Sequence, residues 1–342
     1  MKEMYTPMTT AHKSRVLDMT RGDPFRLVLQ FSLPLFCSNM LQQVYNLTDT
    51  ALAGHLLGSA ALAEIGATAA LYGLIMNFAF GMNNGLALTV SRCFGAGERE
   101  GIRRAVGWMV TLSAAVSIVL TTVSLLGRGA LLQVLQVPAE VWDGAAAYLT
   151  VILLGIPLTM LYNMEAALLR AVGNSVTPLL FLLFSSVLNV GLDAAFMGPL
   201  GMGVRGAAVA TVLAQGISAV LGAVYLVRSY PELHFTPAHL KKSARRAVMN
   251  MFWAGMSMGL MSAIYNLGSV ALQSSINALG SVYITAQTAA RRMAEMYFIP
   301  GGALGIGVAT FSSQNLGAGL HDRAKKGSRF GIIAAAVIEP PA

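Results

Sequence analysis

Between Leu27 and Ala53 the chain holds a mostly apolar run long enough to cross a bilayer, which takes ~20 residues as a helix. Near the far end of that run stands a carboxylate, Asp49. Ser38, Gln42, Tyr45, Asn46 and Asp49 recur at i, i+4, i+7, i+8 and i+11, which puts all five on one face of a 3.6-residue helix. A carboxylate facing lipid costs at least ~2.5 kcal/mol. The face is therefore expected to look at protein or water, and Asp49 to be a functional residue. Composition agrees that this is a membrane chain. Of 342 residues 55% are apolar and only 11% charged, where a soluble domain carries about a quarter charged residues.

Further apolar runs follow at 62–91, 103–126, 142–169, 176–198, 203–228, 247–275 and 281–312, and a ninth begins near 328. Each is long enough for a membrane helix, so the fold class is all-α integral membrane. The N-terminus has no secretory signal pattern; Asp23-Pro24 reads instead as an N-cap followed by proline in the first turn of a helix. The formal net charge of +8 first suggests nucleic acid as a partner. With loops assigned alternately to the two sides, however, the N-terminal segment and the loops near 92–104, 170–175, 228–246 and 316–329 hold every Lys and Arg except Arg128, Arg205, Arg291 and Arg292. The positive-inside rule makes those loops and the N-terminus cytoplasmic, and orientation rather than nucleic acid accounts for the charge. Cys37 and Cys93 belong to no motif, and the histidines lie at the ends of runs.

The chain repeats itself. Tyr45-Asn46-Leu47 returns as Tyr265-Asn266-Leu267, Gly58-Ser59 as Gly280-Ser281, and Phe94-Gly95-Ala96-Gly97 as Leu316-Gly317-Ala318-Gly319, in the same order and at a nearly constant offset. Six spans separate the copies, an even number, so the halves are parallel repeats with a substrate path expected between them. The expected organisation is a cytoplasmic segment over 1–23, a first six-helix lobe over 24–228, a cytoplasmic linker over 229–246 and a second lobe over 247–342. That second lobe is incomplete, with helices 7, 8 and part of 9, since Glu339-Pro340-Pro341 cannot continue a helix. Asn266 is the second-lobe counterpart of Asn46 and a further candidate for the cavity wall.

The strongest polar cluster beyond the first span is in the fifth, where Asn189 and Asp193 share a face one turn apart. The sixth span returns across a turn near Met202, and Thr211 lies as far beyond that turn as Asp193 lies before it, ~13 Å deep at 1.5 Å per residue. Asp49 has a similar depth, ~10 Å by the same rise. Carboxylate, amide and hydroxyl oxygens at one depth suit a hard cation such as Na+, or a proton; the alternative is an interhelical hydrogen-bond network worth under ~2 kcal/mol per bond. Glu165, Glu64 and Glu295 read as structural or interfacial. Gly201 to Gly206 fits G-x-G-x-x-G but follows a membrane helix rather than a strand, which argues against a dinucleotide. Gly81-x-x-x-Gly85 and Gly301-x-x-x-Gly305 read as close helix contacts. Asn46-Leu47-Thr48 is a glycosylation sequon, but inside a span. No His, Cys or carboxylate set with catalytic spacing occurs, so an enzyme is disfavoured.

Pro34 with VYNLTDT at 44–50, SRCFGAGERE at 91–100, LRAVGNSVTP at 169–178, LNVGLD at 188–193, GVRGAAVATV at 203–212 and SSQNLGAG at 312–319 together resemble the multidrug and toxic compound extrusion (MATE) family. The resemblance implies a two-lobe transporter, monomeric and in the cell membrane, that exports organic, often cationic compounds in exchange for Na+ or H+ by alternating access. No cofactor is implied beyond that coupling ion. It also implies that Asp49, Asn189, Asp193 and Thr211 form the first-lobe cation site, and that Pro34 is the point where the first helix bends. The second-lobe counterpart of Asp49 is Ser269, which points to the branch that uses first-lobe acids. A lipid-linked saccharide flippase of related fold and a non-functional truncated fragment remain as alternatives.

Overall fold

The computed structural model describes residues 16–135, 137–241, 243–277 and 281–338, without the side chains of 265, 266, 269–277, 281–289, 291–293 and 295. Helix α1 (Pro24–Leu57) starts as the sequence predicts. Asp23 is extended, its carboxylate accepts the Arg26 N–H at 2.8 Å, and Pro24 sits in the first turn, where no N–H partner is needed. Then come α2 (Ser59–Gly95), α3 (Arg99–Leu126), a short α4 (Arg128–Val134), α5 (Trp142–Ala171), α6 (Val176–Met197) and α7 (Val204–Ser229). After a basic connection containing α8 (Pro237–Lys241) follow α9 (Arg245–Asn277), α10 (Ser281–Gly317) and α11 (His321–Ile338). No strand occurs among the described residues.

Several helices overrun their apolar stretches. α2 continues to Gly95 and α10 to Gly317, because Arg, Gln and similar residues prolong a helix as readily as leucine does. The apolar run marks the bilayer rather than the helix end. Among the described residues six helices are long and apolar enough to cross a membrane, α2, α3, α5, α6, α7 and the first part of α9. α1 is not among them, since its polar stripe dilutes the hydropathy of an otherwise spanning helix. α3 and α7 present bare aliphatic faces outward, Ile118 62% exposed and Leu126 84%, as lipid-facing helices do.

Within the first lobe α5 packs on α2, α3 and α7, α6 packs on α7, and α1 packs on α6. The last of these neighbours could not be read from periodicity, which gives a face but not what covers it. The seam to the second lobe runs from α2 to α9 and α10, and from α1 to α10 and α11. Glycines allow its closest approach. A Cβ on Gly81 or Gly85 would lie 2.5 Å from the carbonyl oxygens of Met258 and Ala254 respectively. The Gly81–Gly85 pair is thus a close helix contact, as its spacing predicts. The same reading fails at Gly305, where a Cβ would meet nothing within 4 Å. Gly305 belongs to a face of α10 with no neighbour among the described residues, and spacing cannot distinguish that face from a packed one.

The described hydrogen bonds across the seam lie toward the end of the bundle that carries the chain start and the α2–α3 turn, here termed the basic end. There the Ser91 hydroxyl donates to the Thr310 carbonyl at 3.3 Å, and the Gln314 amide donates to the Ala171 carbonyl at 2.9 Å. Gly95 lies against the Gln314 backbone and Gly317 against the Arg92 carbonyl, with no room for a side chain at either. A strap just before α1 closes this end. Leu17 N–H donates to Gly173 of the α5–α6 turn at 3.0 Å. On its other side the Met19 carbonyl accepts from Asn315 at 3.0 Å and from Arg323 at 3.3 Å, and the Gly22 carbonyl accepts from Arg323 at 2.6 Å. Met19 is fully buried with Val28, Phe31, Leu304 and Phe311.

Candidate functional site

The polar site is assembled by a turn and a helix crossing. α6 ends at Met197, and the chain reverses with Gly198, Leu200 and Met202 N–H groups bonded back to Ala194, Ala195 and Phe196 carbonyls. Gly201 and Gly203, both at φ +58°, adopt the left-handed backbone this reversal needs. The first glycines of the G-x-G-x-x-G stretch are therefore turn residues, and Gly206 lets α7 close on Phe196. The result places Thr211 of α7 opposite Asn189 of α6. The Asn189 amide donates to the Thr211 hydroxyl at 3.4 Å, and that hydroxyl donates to the Ala207 carbonyl at 3.0 Å. Asn189 and Asp193 are fully buried and Thr211 nearly so.

α1 crosses α6 so that the Asp49 carboxyl adjoins that of Asp193. The four residues drawn from three spans thus stand together. Their oxygens are poorly satisfied. Asp49 Oδ1, both carboxyl oxygens of Asp193 and Asn189 Oδ1 are buried without a hydrogen-bond partner. No basic side chain offsets the two acids: among the described residues the ion pairs join Arg21 with Asp18, Arg103 and Arg104 with Glu100 and Glu98, and His239 with Glu100. Buried polar groups are nearly always paired, so unpaired acceptors around two adjoining acids describe a place for a cation or for protons.

The rest of the polar face of α1 divides. Tyr45 turns with Asp49 toward α7, its hydroxyl beside Thr211. Gln42 instead donates to Asn46 at 3.1 Å along the helix, and Asn46 is exposed. Ser38 donates to the Pro34 carbonyl at 2.9 Å, one turn back, beside the bond that a proline cannot make. The side chains of Asn266 and Ser269 lie outside the described residues.

Three groups around the site escaped the sequence reading. Tyr148 of α5 lies within electrostatic reach of both carboxylates, and Tyr72 of α2 within reach of Asp49 and beside Gln215. Gln215 also accepts from the Thr159 hydroxyl. Gln215 was findable, one turn beyond Thr211 on the same face; the tyrosines carry no such spacing. Glu165, which the sequence reads as structural or interfacial, lies deep in the first lobe. It is 4% exposed with Oε1 unpaired, and its other oxygen fills the space left by Gly222. Arg170 turns away, donating to Asn84 at 3.1 Å and stacking over Phe80.

Comparison with known proteins identifies the family and the fold. The family model described as MatE matches residues 34–195 and 257–342. The probable multidrug resistance protein YpnP of Bacillus subtilis (strain 168) is 28% identical over 309 residues, covering 90% of this chain and 69% of that protein. YoeA of the same organism, also named a probable multidrug resistance protein, is 27% identical over 338 residues, 97% of this chain and 72% of its own length. A solved multidrug resistance MATE family transporter of the MOP superfamily, in an outward-facing conformation, superposes with a TM-score of 0.84 over 97% of this chain and 73% of that one, at 24% identity, and shares the fold. With the model matched across both lobes, the chain belongs to the MatE family of membrane transporters.

Proposed function

We propose that the chain is a cation-coupled antiporter that exports organic, often cationic compounds by alternating access between its two lobes, with Na+ or H+ as the coupling ion. It acts as a monomer in the cell membrane with its basic end, and so its N-terminus, in the cytoplasm. The observation that carries the reading is the set of buried, unpartnered oxygens on Asp49, Asn189 and Asp193. Two acids with no basic neighbour among the described residues are costly to keep charged, and a bound cation or shared protons offset that cost. Exchange follows if filling the site favours one arrangement of the lobes over the other. The cross-lobe contacts at the basic end support an arrangement closed toward the cytoplasm, and the relatives' names support the drug cargo.

The test is efflux of a fluorescent organic cation from proteoliposomes with a proton gradient or a sodium gradient imposed alone. One of the gradients should drive efflux, and Asp49→Asn or Asp193→Asn should abolish the gradient-dependent part. Undiminished coupled efflux in both variants would overturn the assignment.

A further inference from the structure

We propose that the crevice between α3 and α9 at the basic end is a binding site for an anionic phospholipid of the adjoining leaflet. α3 and α9 both pack on α2, and the space left between them at this end is a cavity of about 460 Å³. That volume is in the range of small-ligand sites, ~300–1,000 Å³. Its walls are apolar and aromatic, with Trp108 and Leu112 on α3 facing Val248, Met249 and Phe252 on α9. Its mouth is basic. Arg245 lines it, and Arg246 and Lys241 stand exposed beside it. From Arg245 to Phe252 the groove runs ~10 Å along the helix, most of the ~15 Å depth of one leaflet's hydrocarbon.

Three observations choose the occupant. Arg245 makes no ion pair among the described residues, so its charge is available to a headgroup phosphate. The Trp108 indole N–H is buried with no acceptor. Gly107, its neighbour, lies under Phe235 and Leu240 of the α7–α9 connection, which holds Trp108 near the membrane boundary, where ester carbonyls of a lipid supply acceptors. Finally, α3 is largely unburied within the protein, so the groove opens to lipid. A cationic drug would meet Arg245 with like charge. The site is separate from the Asp49–Asp193 cluster, and its test does not depend on transport.

The protein has three tryptophans, so Trp142→Phe with Trp253→Phe leaves Trp108 as the reporter. In phosphatidylcholine vesicles titrated with brominated phosphatidylglycerol or with brominated phosphatidylcholine, Trp108 should be quenched at lower mole fractions of the anionic lipid. Arg245→Gln should cut that preference about fivefold, the share of one basic residue at an anionic surface. Native mass spectrometry of the protein with all tryptophans in place gives an independent reading, with phosphatidylglycerol retained on the parent chain and lost from the exposed-site variant Arg245→Gln. Equal quenching by the two lipids, or retention indifferent to Arg245, would overturn the proposal.

Discussion

Two asparagines, Asn174 just before α6 and Asn189 within it, show how satisfaction separates structural from functional polar residues. Asn174 is fully buried and fully used. Its amide donates to Thr177 Oγ1 at 2.8 Å and to the Tyr230 hydroxyl at 2.9 Å, while its oxygen accepts the Thr177 N–H at 3.0 Å. Asn189, equally buried, makes one long bond and leaves its oxygen unpaired. Asn174→Ala should therefore lower stability by ~1–3 kcal/mol, read as a fall in the thermal unfolding midpoint in detergent, and leave ion dependence unchanged. Asn189→Ala should do the reverse, with little stability lost and coupled transport weakened. Both residues were visible in the sequence as asparagines in or beside a span. Asn189 had a same-face acid, Asp193, to mark it; Asn174 has Thr177 at capping distance in the first turn of α6, while its other partner, Tyr230 beyond α7, is one that no spacing reveals.

At the level of elements, α2 is the helix on which both lobes are built, since it packs on α3 and α5 of one and on α9 and α10 of the other. Its contact with α9 depends on the absence of side chains at Gly81 and Gly85. Gly85→Val would push a branched side chain into the Ala254 and Gly255 backbone, and such overpacking costs ~1–3 kcal/mol. The thermal midpoint should fall accordingly, while Gly305→Val, on an open face, should change it little. Helix existence and the start of α1 were legible because length, hydropathy and the Asp23-Pro24 cap are local properties. The polar stripe of α1 that ends at Asp49, and the shared face of Asn189 and Asp193 on α6, were legible too. Which helices meet was not, because α1 could have covered its polar face with any neighbour, and the tyrosines that surround the acids come from α2 and α5 by tertiary packing alone.

At the scale of the molecule, the basic end is fastened by the strap before α1. Arg323 is its main fastening, bonding Gly22, Met19 and Asn315 and stacking over Phe311. Charge-assisted bonds contribute ~1.5–3 kcal/mol, so Arg323→Ala should loosen this end. Hydrogen exchange measured by mass spectrometry should rise over residues 17–22 with the α3–α5 amides unchanged; unaltered protection of the strap would refute its role as a fastening. These bonds also join residues 296 to 304 positions apart in the chain. At ~5–20 residues per second of synthesis, roughly 15 to 60 s separate the emergence of Met19 from that of Arg323. Until α9 emerges the glycine-lined face of α2 has no partner, and until α10 follows the pocket for Met19 is incomplete. The first lobe must insert and hold itself together unaided, and α11, made long after α1, is the helix that ties the strap before α1 in place.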